Sequence, residues 1–465
     1  MSEEKETIAT HVEDGAENEP AVLATSSLAA RFEHRQHTLT RMESIKENIW
    51  PLVWCLYMFF LCITWGFDGL AGGIVVSITE FRKDFGTPYG DDYVVSATWQ
   101  LGFQAATIFA APPYASEMAP LTIRGSVAAG MNFSIVLGQL IGYGVMREAS
   151  HYGDARAYKV LFATQWGFAA VALVFLPFFP ESPYWLVAHG RAEKARKNLE
   201  RLHDSTYDYD GHMAEIHESL ARQNQDNDSQ GSYLECFSKT ARKRTLVAIG
   251  MFFIQNASGP GWVVGYMSYY FQLAGMAPAA SFDTTVGLAG LMAIGNIVGW
   301  FFVDYFGRRG TALYGSIILT ITLFLIGASS LVKTQGAVWA QVVFMAIWSF
   351  SYQGTLGAVA WPIATEAATS RLRAPTQALA ITANGLSSSI WTLSLPYAIN
   401  PDQGNLGGKV AFIFGATLAV CCVFIFFMVP ETKDRTYIEI DELWTRKVPP
   451  RKFKNTNLVT LPNDK

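Results

Sequence analysis

Charge is scarce in this chain. Asp, Glu, Lys and Arg make up 16% of its 465 residues, and the long apolar stretches contain almost none of them. Paired cysteines are also lacking: Cys55, Cys62, Cys421 and Cys422 lie in apolar runs and Cys236 in a polar loop. That pattern offers neither a disulfide framework nor a zinc site. All eight histidines fall outside the apolar runs without metal-ligand spacing, and no phosphate loop or nucleophile elbow is present. An enzyme is therefore not expected, and neither is a cofactor or metal. Residues 1–45 carry no apolar core, so no cleavable signal peptide is expected and the first apolar run should act as its own insertion signal. Nucleic acid is not an expected partner, and no obligate protein partner is implied.

What is present is greasy and segregated. Half the residues are hydrophobic, with 31 Phe and 13 Trp, and they collect into runs of 18 to 29 residues. About 20 apolar residues cross a hydrocarbon core of about 30 Å. Runs of that length are helices rather than barrel strands, since only helices and closed barrels satisfy their backbone in lipid. The expected class is an all-α polytopic membrane protein seated in a lipid bilayer. Ten spans are predicted, at 49–77, 94–111, 125–146, 160–179, 245–273, 284–303, 311–331, 338–363, 375–399 and 410–429. The second is the weakest, because it is short and ends at Pro112-Pro113.

Charged signatures at the ends of these runs occur twice. Glu117 precedes Arg124 by seven residues, and Glu366 precedes Arg373 by seven. Pro180-Glu181-Ser182 returns as Pro430-Glu431-Thr432. The offsets are 249, 249 and 250 residues, so the chain reads as two parallel membrane halves with a substrate site between them. The expected organisation is a tail at 1–48, a first half at 49–180, a central loop at 181–244, a second half at 245–430 and a tail at 431–465. The first half is short. From the centre of its first span to Glu117 is 54 residues, against 107 from the corresponding centre to Glu366. Two spans and their loop would fill that gap, with the junction near 104–113, so ten spans are seen where twelve are expected. The turn Asp304-Tyr-Phe-Gly-Arg308-Arg309 accordingly appears once rather than twice.

Basic residues set the orientation. They gather in the N-terminal tail, in the 181–244 loop with its ten Lys or Arg, and in the short loops at Arg124, Arg308-Arg309 and Arg371-Arg373. By the positive-inside rule both tails and the central loop are cytoplasmic. Within that loop Ala192–Leu202 reads as a solvated interfacial helix, with charges of both signs at helical spacing.

Together these signatures resemble the sugar porters of the major facilitator superfamily. The matching pieces are Pro180-Glu-Ser-Pro-Tyr-Trp-Leu186 with Gly190-Arg191, Asp304-x-x-Gly-Arg-Arg309, Pro430-Glu-Thr-Lys-Asp-Arg-Thr436, Trp361…Glu366…Arg373 and Gly138-Gln139. The chain is most similar to the fungal maltose and α-glucoside permease branch through Gly66-Phe-Asp68, Tyr93…Trp99-Gln100, Tyr114-Ala-Ser-Glu-Met-Ala-Pro120, Ser370-Arg-Leu-Arg-Ala374 and Asn400-Pro401. Pro375 and Asp434 depart from that branch, where a basic residue and a glycine are usual. The resemblance implies a two-half helical bundle that takes up α-glucosides such as maltose together with protons, as a multi-pass protein of the plasma membrane. Its partners would be a small sugar and protons.

Roles follow residue by residue. Asp68 is the only acid or base inside any span, and a charge there costs about 2.5–3.5 kcal/mol on insertion scales. Either it reaches interfacial water near the outer end, or, as the resemblance implies, it is the proton-coupling site. Its usual arginine partner would lie in the missing stretch. Gln139, Gln255, Asn256, Gln353, Trp361 and Asn384 match sugar-contacting positions of the family. Polar residues in spans also bond helices to one another, and both uses stay open for Gln139, Asn256, Gln353 and Asn384. For Gln255 and Trp361 substrate contact is the reading. Glu117, Arg124, Glu181, Asp304, Arg308, Arg309, Glu366, Arg373 and Glu431 would, as the resemblance implies, form cytoplasmic ion pairs that lock and release the halves; the alternative is that the basic residues act only as topological anchors. The alternatives are a non-transporting sugar sensor or an inactive truncated or mis-spliced member. Sensors of the family tend to carry long cytoplasmic tails, and only 36 residues follow the last span here.

Overall fold

The computed structural model describes residues 27–28, 31–32, 35, 43, 46–89, 92–100, 124–203, 207–228, 233–369, 372–433, 435 and 437–456. Glu117 and the expected junction at 104–113 lie outside them, as does most of the 94–111 span. The chain divides into two compact units, one of Met1–Phe60, Ala111–Met131 and Leu173–Gln230, the other of Leu61–Ala110, Asn132–Ala172 and Gly231–Lys465.

The first unit is built on aromatic packing. It contains the opening turns of α1 (Ile49–Ile74) and α3 (Arg124–Ala149), and the short helices α5 (Pro183–Ala188), α6 (Ala192–Leu202) and α7 (Tyr209–Asp228). The predicted helix at 192–202 is α6. Its Ala195, Leu199 and Leu202 are buried, while Arg196 on the opposite side pairs with Asp210 at 3.0 Å. Phe32 of the N-terminal segment stacks on His212 at 5.0 Å and meets Tyr207 edge-on at 5.9 Å. His203 stacks on Tyr207 at 3.8 Å and bonds through Nε2 to Asn48 Oδ1 at 3.1 Å. Tyr207 O–H and His212 Nδ1 are 3.0 Å apart.

Burial, with His203 second, pushes the His212 pKa down from 6.5 to about 3. Between those values the unfolded segment binds a proton that the folded one refuses. The packing is therefore at full strength above about pH 6.5 and weakens as the pH falls toward 3. Hydrogen exchange across 207–218, corrected for intrinsic rates, is expected to quicken between pH 7 and pH 5. In His212→Phe that pH dependence should vanish.

The second unit holds most of the long apolar helices. Among the described residues five segments are long and apolar enough to cross a membrane: Ile49–Ser77, Arg156–Phe178, Pro278–Ser329, Gln335–Glu366 and Gly407–Met428. The 52-residue segment α10 (Pro278–Ser329) would be about 78 Å long if straight, more than twice the hydrocarbon thickness. It is broken at Gly307, whose φ of 78° and ψ of 174° lie outside the helical region. The two predicted spans 284–303 and 311–331 fall on either side of that break.

Other breaks also follow local chemistry. The single span predicted at 245–273 is two helices, α8 (Arg242–Ala257) and α9 (Pro260–Leu273). Between them Gly259 takes φ 94°, a conformation natural to glycine, and Pro260 then occupies a helix start, where its missing N–H costs nothing. The 338–363 span is likewise two, α11 (Gln335–Gly354) and α12 (Leu356–Glu366), separated at Thr355. α4 (Arg156–Phe175), α13 (Arg373–Ile399) and α14 (Val410–Met428) match their predicted spans closely. The core is aromatic, with Trp262, Trp348, Tyr266, Phe67, Phe252, Phe271 and Phe414 fully buried. The last helix, α15 (Tyr437–Thr445), is tied to the start of α8 by Arg244, which pairs with the Asp441 carboxylate and donates to its carbonyl at 3.2 Å.

Candidate functional site

Helices α8, α12 and α13 bring four of the predicted sugar contacts into one neighbourhood. Asn256 Nδ2 donates to Asn384 Oδ1 at 2.7 Å, linking α8 to α13. One residue back, Gln255 hydrogen-bonds the buried Tyr352 of α11. One turn back, buried Phe252 meets Trp361 of α12 edge-on at 4.7 Å. Trp361 is 48% exposed, so Phe252 holds its ring without covering it. Amide groups beside an open aromatic ring are the chemistry a pyranose needs, with hydroxyls on the amides and C–H edges on the ring.

Two other predicted contacts are used differently. Gln353 is buried, and its Oε1 accepts from Asn296 Nδ2 at 3.4 Å across the α10–α11 packing. That bond joins two helices, as the Asn256–Asn384 bond does. Gln139 lies on α3 with Oε1 buried and without a partner among the described residues.

Asp68 sits on α1, where that helix crosses α3 at close range. A Cβ on Gly66 would lie 2.1 Å from the Ile135 carbonyl, and one on Gly138 would lie 2.1 Å from that of Ile63. One Asp68 oxygen, Oδ1, is buried without a partner among the described residues, and the side chain hydrogen-bonds Gln165 of α4. Gln165 was not singled out from the sequence. A neutral amide in an apolar run carries no local signal, and only the packing of α4 shows its use.

The predicted ion-pair residues of the second half converge at the α10 break. Glu431 Oε1 accepts from Arg308 N at 2.9 Å and from Lys433 N at 3.1 Å, which places a carboxylate on the N-terminus of the second α10 segment. Arg308 Nη2 is 3.6 Å from Glu366 Oε1, and Thr432 Oγ1 donates to Glu366 Oε2 at 2.5 Å. Arg309 Nη2 donates to the Phe426 carbonyl at 2.9 Å. Asp304 is exposed and joins no ion pair among the described residues. Glu181, in the first unit, is exposed, and its carbonyl accepts from Asn198 Nδ2 at 3.1 Å. The side chains of Arg124 and Arg373 lie outside the described residues.

Residues 99–444 match the family described as Sugar (and other) transporter. The chain belongs to this family. It is similar to the general alpha-glucoside permease of Saccharomyces cerevisiae, with 31% identity over 350 residues that cover 74% of this chain and 57% of the yeast protein. The yeast maltose permease MAL31 is 30% identical over 367 residues, covering 77% of this chain and 58% of MAL31. The Aspergillus fumigatus MFS transporter fmqE is 30% identical over 345 residues, covering 74% and 64%. This family member thus spans less than two thirds of the length of the curated relatives it matches. Its fold is like that of the E. coli xylose transporter XylE in its inward open conformation, with a TM-score of 0.60, 20% identity and coverage of 90% of this chain and 95% of XylE. The protein is a multi-pass membrane bundle of the major facilitator type.

Proposed function

We propose that this family member carries α-glucosides such as maltose across the plasma membrane by alternating access, with both tails cytoplasmic. In the same cycle Asp68 would carry a proton. The observation that best supports the sugar is the Asn256–Asn384 pair beside the half-open Trp361 ring. The permease names of the relatives agree with that chemistry. Glu366, Arg308, Thr432 and Glu431 would act as the cytoplasmic lock of the second half, since the Arg308–Glu366, Arg308–Glu431 and Thr432–Glu366 bonds each join segments far apart in the chain.

The first half at 49–180 would be the shortened partner of 245–430. The experiment that tests the carrier is uptake of labelled maltose by vesicles containing the purified chain. Trp361→Ala should raise KM about three- to tenfold through loss of the stacking face, with kcat little changed. Unaltered KM, or no uptake by the parent chain, sinks the reading.

A further inference from the structure

On the bundle face away from Arg308 and Glu366, the loop that follows α1 does more than connect. It comprises a 3-10 turn at Val75–Ser77, helix α2 (Thr79–Phe85) and a hairpin of β1 (Thr87–Tyr89) and β2 (Asp92–Val94). In the hairpin Thr87 lies opposite Val94 and Tyr89 opposite Asp92. Arg82 of α2 is only 3% exposed. Its Nη1 donates at 3.0 Å to the Val76 carbonyl, the Ser77 carbonyl and Gln272 Oε1 of α9. Its Nη2 pairs with Asp92 Oδ2 at 3.0 Å, and the guanidinium lies 5.7 Å from the Tyr269 ring centroid. One buried cation therefore holds the end of α1, the hairpin and α9 in a single arrangement.

The hairpin and the residues after it reach further. Tyr89 O–H donates to the Pro401 carbonyl at 3.0 Å. Gln100 Nε2 donates to Asn400 Oδ1 at 3.1 Å, and Asn400 Nδ2 returns a bond to the Val95 carbonyl at 2.9 Å. Gln100 and Asn400 are both fully buried. Each bond joins the segment after the first span to an element of the second half; the Tyr89 bond is exposed, while the two made by Asn400 are buried, and buried bonds are the costly ones to break.

We infer that residues 78–89 and 92–100 form a latch that closes this face of the carrier, with Arg82 as its hub. To open the face, the guanidinium must give up Gln272 and the Tyr269 ring of α9 while Tyr89 and Gln100 give up the 400–401 corner. Arg82 can keep the Val76, Ser77 and Asp92 bonds as it moves, because those partners belong to its own loop. The latch thus has a natural parting line, with Gln272, Pro401 and Asn400 on one side and everything Arg82 retains on the other. Its consequence for sugar movement rests on the proposed carrier; its geometry does not.

The test reads a distance rather than transport. Spin labels on Lys83→Cys and Gln403→Cys, two exposed positions on opposite sides of the parting line, report the separation in the full chain in nanodiscs. The unlabelled-site parent supplies the background from its own cysteines. The parent pair should give one short, narrow distribution. In Arg82→Ala the ratio of latched to longer distances should fall about tenfold, with helical content unchanged. If that variant is not recovered folded, Gln272→Ala removes the same bond across the parting line and should lengthen the distance likewise. A distribution identical to the parent in the folded variant overturns the latch. Distances that respond in a chain without sugar uptake would defeat the carrier reading and leave the latch standing.

Discussion

Asp68→Asn is expected to exchange maltose across a vesicle membrane at close to the parental rate while failing to concentrate it. The carboxyl lies within α1, with Oδ1 buried and unpartnered among the described residues and the side chain bonded to Gln165. Asn keeps the shape and can keep the bond to Gln165, so helix packing and sugar contacts are preserved. What it loses is a proton that can be taken up and released. If one proton accompanies each sugar, a pH difference of one unit supports about tenfold accumulation, since 1.4 kcal/mol is a factor of ten. The variant should reach a ratio of one whatever the pH gradient, and that ratio is read from vesicle sugar content at steady state. Continued accumulation by Asp68→Asn would remove Asp68 from the coupling step. A parent chain that never accumulates would instead point to facilitated passage.

Gly73→Val should prevent closure at the latch face altogether. The α1 and α9 backbones almost touch there: a Cβ on Gly73 would lie 2.6 Å from the Gly265 carbonyl oxygen and 3.2 Å from its carbon. Backbone on both sides leaves no flexible tip to yield, so the two helices must separate. Overpacking of this kind costs about 1–3 kcal/mol, and here the strain falls on the closed arrangement that also holds Arg82 to Gln272. Uptake is expected to drop about tenfold or more, because each kcal/mol added to one state of the cycle depopulates it exponentially. Gly69→Val is the control. No atom lies within 4 Å of a Cβ at that position, and it should transport as the parent does. Equal activity in both valine variants would mean that the α1–α9 approach has no part in the cycle.

Much of the bundle was legible in the sequence because apolar run length and basic-residue placement are local properties. α4, α13 and α14 fall close to their predicted limits for that reason. The break at Gly259-Pro260 carried a local signal too, since a left-handed glycine followed by proline is a helix end and a helix start. It was hidden inside a continuous apolar run, and hydropathy does not register a helix break. The break at Thr355 carried less. It rests on the α10 backbone passing so close that a Cβ on Gly315 would lie 2.2 Å from the Thr355 hydroxyl.

The candidate site divides in the same way. The residue types that suit a sugar were readable, because amides in apolar spans are expensive unless they are used. Which of them the fold brings together was not. Asn256 and Asn384 are 128 residues apart and joined by one bond, and Gln353 is joined in the same way to Asn296, 57 residues away. Arg82 shows the limit most clearly. In the sequence it is one more charge in a polar loop, yet in the fold it is buried with five partners.

By itself the sequence determined the family, the helical membrane class, the repeated charged signatures and the single acid of the first span, since each is written in composition or short-range order. Only the tertiary structure decided that Gln165 accompanies Asp68, that Glu431 caps the α10 break, and that the loop after α1 grips the second half. Those outcomes depend on which helix backbones approach closely enough to share a hydrogen bond, and that is a property of the packed bundle.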